Sequence, residues 1–210
     1  MRPKEANSVM YDGQQTLIEG PQGAIEAFVY QASRDRPTMI LCHPHPSFGG
    51  SCHDRILRLI GETLRSLDCG LVYFNFAGIG ASEGHTRNAQ QGAEDLQAVQ
   101  VFVNQTLDCP YGLVGYSFGA AAVLTAARAA ESEPALLVAP VLSLCAPDVL
   151  NQQPALARAV VGDQDVYSPV SGLVSYFGGS SVEVIEGADH FFNGYDGLLV
   201  EAARRWVSGL

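Results

Sequence analysis

The chain has 210 residues, 47% apolar and only 16% charged, with a formal net charge of −10. Length and composition predict one domain over residues 1–210 with a sizeable core, and exclude a disordered chain. The acidic balance without a Lys/Arg cluster speaks against nucleic acid, and no apolar run approaches the ~20 residues that span a bilayer.

The start of the chain, Met1-Arg2-Pro3-Lys4-Glu5, has no apolar signal core. Five cysteines at irregular spacing fit reduced thiols better than a disulfide framework, which points to the cytoplasm. Apolar runs alternate with helix-like stretches, the pattern of α/β architecture. Residues 16–18 and 24–30 read as an opening pair of strands around Gly20-Pro21-Gln22-Gly23. Residues 38–42 are a short buried strand, stopped by the Pro/Gly cluster at 43–50. Ser51, with Asp54 three residues on, reads as an N-cap; Ile56, Ile60, Leu64 and Leu67 follow at helical spacing, and Gly70 reads as the C-terminal cap. His53 then belongs to that helix.

The next strand is 71–76, followed by a Gly/Ser-rich loop at 77–84. Leu96, Val99 and Val103 mark a helix. Leu113-Val114 lies in a strand, and 118–130 is an Ala-rich helix. Strands at 136–141, 156–161 and 182–185 and a closing helix at 198–207 complete the set. Parallel strands joined by helices place ligands beyond the strands' C-terminal ends, so the loops after strands should carry the chemistry.

Gly115-Tyr116-Ser117-Phe118-Gly119 matches G-x-S-x-G between an apolar strand and an Ala-rich helix, the context this nucleophile turn requires. A tight turn needs small neighbours, which Gly115 and Gly119 supply. A serine hydroxyl needs a base, and only His190 of the five histidines follows Ser117. The base needs a carboxylate to hold its tautomer and stabilise its cation. Gly162-Asp163-Gln164-Asp165, just past the strand at 156–161, offers Asp163 and Asp165, which spacing alone does not separate. Either completes the nucleophile–acid–base order that accompanies such an elbow. Asp189, beside His190, reads as a cap for the last helix.

An acyl-transfer site also needs N–H donors for the developing oxyanion. One is the N–H of Phe118. The other comes from His43-Pro44-His45-Pro46-Ser47-Phe48-Gly49-Gly50, where the prolines cannot donate. His45 N–H is the first candidate and Phe48 the second. Cys42, His43, His45, Cys52 and His53 also raise a soft metal site. The Pro-locked extended segment does not present a standard ligand pair, so no metal is expected, and His43 is read as bracing its loop. Phe48, Tyr116, Phe118, Phe191 and Phe192 sit beside motif residues and outline an apolar mouth, with core packing as the alternative for each.

These blocks resemble the α/β-hydrolase superfamily, and within it the small lidless serine hydrolases related to dienelactone hydrolases. The narrow match rests on His43-Pro44-His45-Pro46 with Gly49-Gly50, on the stretch from Phe74-Asn75-Phe76-Ala77-Gly78 to Glu83-Gly84, on Gly115 to Gly119, on Gly162 to Pro169, and on Ala188-Asp189-His190. The resemblance implies a mostly parallel twisted sheet of about eight strands with helices on both faces and no lid domain. It also selects Asp165, the Asp of a G-x-x-D-x-x-x-P stretch, as the acid. Two departures stand out. Ala77 occupies a position where the family commonly has Arg, so a salt bridge bracing that loop is absent. His43-Pro44 replaces the usual His-Gly of the oxyanion loop. Ser117 stands where dienelactone hydrolases proper carry cysteine, so their activity is not carried over.

The expected function is hydrolysis of a small-molecule carboxylic ester or related acyl compound through Ser117, His190 and Asp165, with no cofactor. A non-catalytic binding protein on the same fold and an acyltransferase using the same triad are the alternatives. An exposed mouth is compatible with a homodimer.

Overall fold

The computed structural model describes residues 13–33, 36–127, 133–152 and 155–210. The first residues of the chain and the end of the predicted helix at 118–130 lie outside them. Eight strands form one sheet in the order β1-β2-β4-β3-β5-β6-β7-β8. They are β1 (Gln14–Gly20), β2 (Gly23–Tyr30), β3 (Thr38–Cys42), β4 (Gly70–Phe74), β5 (Tyr111–Tyr116), β6 (Ala135–Val138), β7 (Ala157–Gly162) and β8 (Val182–Ile185). β1 and β2 form an antiparallel hairpin, β2 pairs antiparallel with β4, and every later pairing is parallel.

The helices are α1 (Arg55–Arg65), α2 (Ala89–Phe102), α3 (Phe118–Ala126), α4 (Val170–Phe177) and α5 (Asp196–Val207). The central strands are buried on both faces, as parallel strands covered by crossover helices must be. Alternation in β3 shows it. Met39 and Leu41 join the core under α1 and α5, with Ile60, Leu199 and Trp206, while Ile40 and Cys42 join the core under α2 and α3, with Leu96, Val99 and Phe118. Tyr176 places α4 on the second face. Among the described residues no helix is long and apolar enough to cross a membrane.

Several boundaries differ from the sequence reading. The cap of α1 is Asp54, whose carboxylate accepts from the N–H groups of Ile56 and Leu57. Ser51 lies further out and accepts from His53 N–H, so His53 sits in the turn before the helix. α1 ends at Arg65 with Ser66 as its C-cap, and Asp68 takes the left-handed conformation (φ 61°) expected of a glycine, leaving Gly70 free to open β4. β4 stops at Phe74; Asn75 still donates its N–H to the Glu26 carbonyl of β2, and its side chain enters a buried network in which Nδ2 donates to Glu26 and Oδ1 accepts from Cys52 N–H. The helix α4 carries no strong cap or long apolar period and had no counterpart in the sequence reading. β6 ends at Val138 and β7 begins at Ala157, so their connection, residues 139–156, is longer than the sequence suggested. Its described residues hold the short turn Leu142–Leu144 and a further turn at 147–151, and form no lid.

Candidate functional site

Register places the site. β3 and β5 are parallel neighbours with Cys42 opposite Gly115, so the loop after β3 lies beside the turn after β5. At that turn Ser117 has φ 54° and ψ −112°, a strained conformation for a residue with a Cβ. Its strain is held from both sides: Ser117 N–H donates to the Val138 carbonyl, and its own carbonyl accepts from Ala120 and Ala121 at the start of α3. Gly119 is required by close approach, since a Cβ there would lie 2.1 Å from the carbonyl oxygen of Cys42. The first turn of α3 thus sits directly on the end of β3.

His190 lies in the loop after β8 and meets Ser117 across the strand ends. Its Nε2 is 2.9 Å from Ser117 Oγ, and its Nδ1 is 2.7 Å from Asp165 Oδ2. A carboxylate only accepts, so Nδ1 carries the proton and Nε2 is left to accept from the serine hydroxyl. All three side chains are nearly buried, and the phenol of Tyr116 donates to the His190 carbonyl at 3.0 Å. Asp165 is oriented by its own turn, where Oδ1 accepts from the N–H groups of Tyr167 and Ser168. Asp163 points elsewhere: it accepts from Gly187 N–H at 2.7 Å. Asp189 accepts from Phe191 N–H within the His190 turn and is not the cap of α5, a position taken by Tyr195.

The loop after β3 carries His43, His45 and Phe48. His43 is fully buried and uses both ring nitrogens, donating from Nδ1 to the Pro44 carbonyl and accepting at Nε2 from Phe76 N–H. It therefore brings no free nitrogen to a metal, and burial holds its pKa down at about 4. In the short turn Pro46–Phe48, Ser47 N–H donates to the His45 ring, Phe48 and Gly50 N–H donate to the His45 carbonyl, and Gly49 N–H donates to Pro46. Phe48 N–H is thus already spent. Among the hydrogen bonds of the described residues, neither Phe118 nor His45 donates its backbone N–H to a protein group. The His45 ring packs on Phe118 at 4.9 Å between centroids.

The loop after β4 is braced without an arginine at 77. Ala77 N–H and the Thr86 hydroxyl both donate to Asp95 Oδ2, and burial pushes the Asp95 carboxyl above its ordinary pKa. On the other side Glu26 accepts from Asn75, Gln15 and Ala81.

Of the five aromatics proposed for a mouth, Tyr116, Phe118 and Phe192 are core residues, whereas Phe48 is 87% and Phe191 53% exposed. Sequence reading missed Tyr167, 58% exposed with its ring 5.0 Å from that of His190. Its place two residues after Asp165 was the available signal.

Known proteins share the fold. No protein-family model matches the chain. An α/β serine hydrolase homologue from Coxiella burnetii is 29% identical with a TM-score of 0.79, covering 94% of this chain and 97% of that one. An α/β serine hydrolase without a lid from Xanthomonas campestris is 27% identical with a TM-score of 0.82, covering 94% of each chain. A protein of Rickettsia prowazekii (strain Madrid E) is 25% identical over 194 residues, 85% of this chain and 82% of its own length. By fold the chain is a small lidless member of the α/β-hydrolase superfamily.

Proposed function

We propose that the chain is a serine hydrolase that cleaves a small-molecule carboxylic ester, or a related acyl bond, through an acyl-enzyme on Ser117. The observation that carries the reading is the continuous hydrogen-bonded line from Ser117 Oγ through the His190 ring to Asp165, at 2.9 and 2.7 Å, set on a strained strand-to-helix turn. Neither an exposed serine nor a surface histidine needs such an arrangement.

In the first half-reaction Ser117 Oγ attacks the carbonyl carbon and its proton passes to His190 Nε2. The imidazolium is stabilised by Asp165. The oxyanion is held by the backbone N–H groups of Phe118 and His45, neither of which donates to a protein group among the described residues. The tetrahedral intermediate collapses, the acyl–oxygen bond breaks, and the alkoxide leaves with the proton of Nε2 as free alcohol. In the second half-reaction water attacks the acyl-enzyme, giving its proton to Nε2, and the acid leaves as Ser117 recovers that proton. Ester and water become acid and alcohol, with no cofactor. Five free thiols fit a reducing compartment such as the cytoplasm, and residues 1–210 are read as one domain.

Labelling with a fluorophosphonate tests the reading directly. The intact protein should label with a stoichiometry approaching one, Ser117→Ala should not label, and the labelled protein should no longer hydrolyse simple esters. Failure of the intact protein to label, or equal labelling of Ser117→Ala, would return the chain to the binding-protein alternative.

A further inference from the structure

We propose that Tyr167 and Phe191 form a clamp for the alcohol half of the substrate, which makes esters of aromatic or bulky apolar alcohols the preferred substrate class. The inference rests on the serine-hydrolase reading above. In that reaction the departing oxygen takes its proton from His190 Nε2, so the alcohol lies against the imidazole as the acyl–oxygen bond breaks. Whatever surrounds the open side of that ring surrounds the leaving group.

Three aromatic rings surround His190 among the described residues. Tyr116 is 5.7 Å away but buried, with its hydroxyl committed to the His190 carbonyl. Tyr167 and Phe191 approach edge-on, at 5.0 and 5.5 Å and interplanar angles of 63° and 89°, and more than half of each stays exposed. A single exposed aromatic is ordinary. Two that flank one imidazole while keeping most of their surface in water are not explained by packing.

Their backbones are held by the site itself. Tyr167 N–H donates to Asp165 Oδ1 at 2.8 Å. Phe191 N–H donates to Asp189, and its carbonyl accepts from the guanidinium of Arg55, which also pairs with Asp196 at the start of α5. The two rings therefore stand on held backbone beside His190, and a planar or bulky apolar group lodging against them displaces water without ordering the chain. Phe48 stands instead on the oxyanion loop, against His45, and is not part of the clamp.

The test compares benzyl and methyl esters of one acid. Benzyl and methyl alcohols have nearly the same acidity, so their ratio of kcat/KM reads contact with the leaving group and not its intrinsic departure. The intact protein should favour the benzyl ester by about tenfold or more. In the double variant Tyr167→Ala, Phe191→Ala that ratio should fall about tenfold, while kcat/KM for the methyl ester stays within about threefold and fluorophosphonate labelling persists. An unchanged ratio in a variant that still labels overturns the clamp and leaves the hydrolase reading intact. Equal loss on both esters also overturns it, since the rings would then only support His190. A wild-type protein that labels but shows no benzyl preference has the same meaning, whereas one that does not label removes the hydrolase reading and the clamp with it.

Discussion

Gly162 and Ala188 touch backbone to backbone: a Cβ on Gly162 would lie 2.0 Å from the Ala188 carbonyl oxygen. The same carbonyl accepts from Gln164 N–H at 3.0 Å. Asp165 follows Gly162 by one turn and His190 follows Ala188 by two residues, so this contact sets the offset between the two loops that bring acid and histidine together.

Gly162→Ala must therefore push the acid turn away from the histidine loop. Overpacking of this kind costs about 1–3 kcal/mol. The thermal midpoint should fall, and kcat should drop more than tenfold, because the His190–Asp165 geometry is displaced. Thermal melts and steady-state ester hydrolysis read the two effects. A variant with wild-type kcat would show the contact to be incidental.

The two neighbouring carboxylates should separate cleanly. Asp165→Asn exchanges an acceptor for a group that can donate towards Nδ1 and favours the wrong tautomer, a change expected to cost roughly 10⁴ in kcat. Asp163→Asn leaves the His190 geometry alone and weakens only the bond to Gly187 N–H, at about 1 kcal/mol of stability. Parallel kinetics and denaturant melts decide, and the reverse ranking would overturn the assignment of Asp165.

The strain at Ser117 makes a second stability comparison possible. Both Ser117→Ala and Ser117→Gly remove the hydroxyl. Glycine tolerates φ near +54° and alanine does not, so Ser117→Gly should be the more stable of the two by about 1 kcal/mol. Equal stabilities in urea would mean that the elbow stores no strain.

His45 tests the second oxyanion donor through its backbone. Its φ of −57° already suits proline, so His45→Pro deletes the N–H with little cost in conformation. Loss of one such donor is expected to lower kcat by about 10²–10³. His45→Ala keeps the N–H and should cost much less, reflecting only lost contact with Phe118 and Ser47. If both variants lose activity equally, the N–H is not the donor.

His43 gives a pH dependence with a definite sign. Burial holds its pKa at about 4, against 6.5 for an ordinary imidazole. The unfolded chain then binds the proton first, so stability is intact above pH 6.5 and is lost as pH falls towards 4, by about 3 kcal/mol for this group alone. Asp95, raised by burial, acts in the opposite direction: its contribution is lost as pH rises through its folded value. Asp95 is common to both proteins when wild type is compared with His43→Gln. The difference in their pH–stability profiles should therefore close as pH falls, and a constant difference would show that His43 is not held neutral.

Much of the fold was legible because parallel strands buried on both faces read as short continuous apolar runs, as in residues 38–42. The Ser117 elbow was legible for a local reason, since its glycines are demanded by contacts with adjacent chain. The choice of Asp165 over Asp163 was not local. It depends on which carboxylate reaches His190 across two distant loops, which in this structure is Asp165; only the family resemblance favoured one over the other. Ser51 was mistaken for a cap because Asp54 offers the same chemistry three residues later, where the helix begins. Phe118, Tyr116 and Phe192 looked like mouth residues because position along the chain does not tell which way a ring turns at a tight loop. Tyr167 was missed for the same reason.

The parallel sheet also has a kinetic consequence. Ser117 and His190 are 73 residues apart and His190 and Asp165 are 25 apart, each joined only after β7 and β8 have added to the edge beyond β6. During refolding, recovery of Ser117 reactivity should therefore not precede the pairing of β7 with β8, so that chemical activation of one side chain reports the closing of the last two strands.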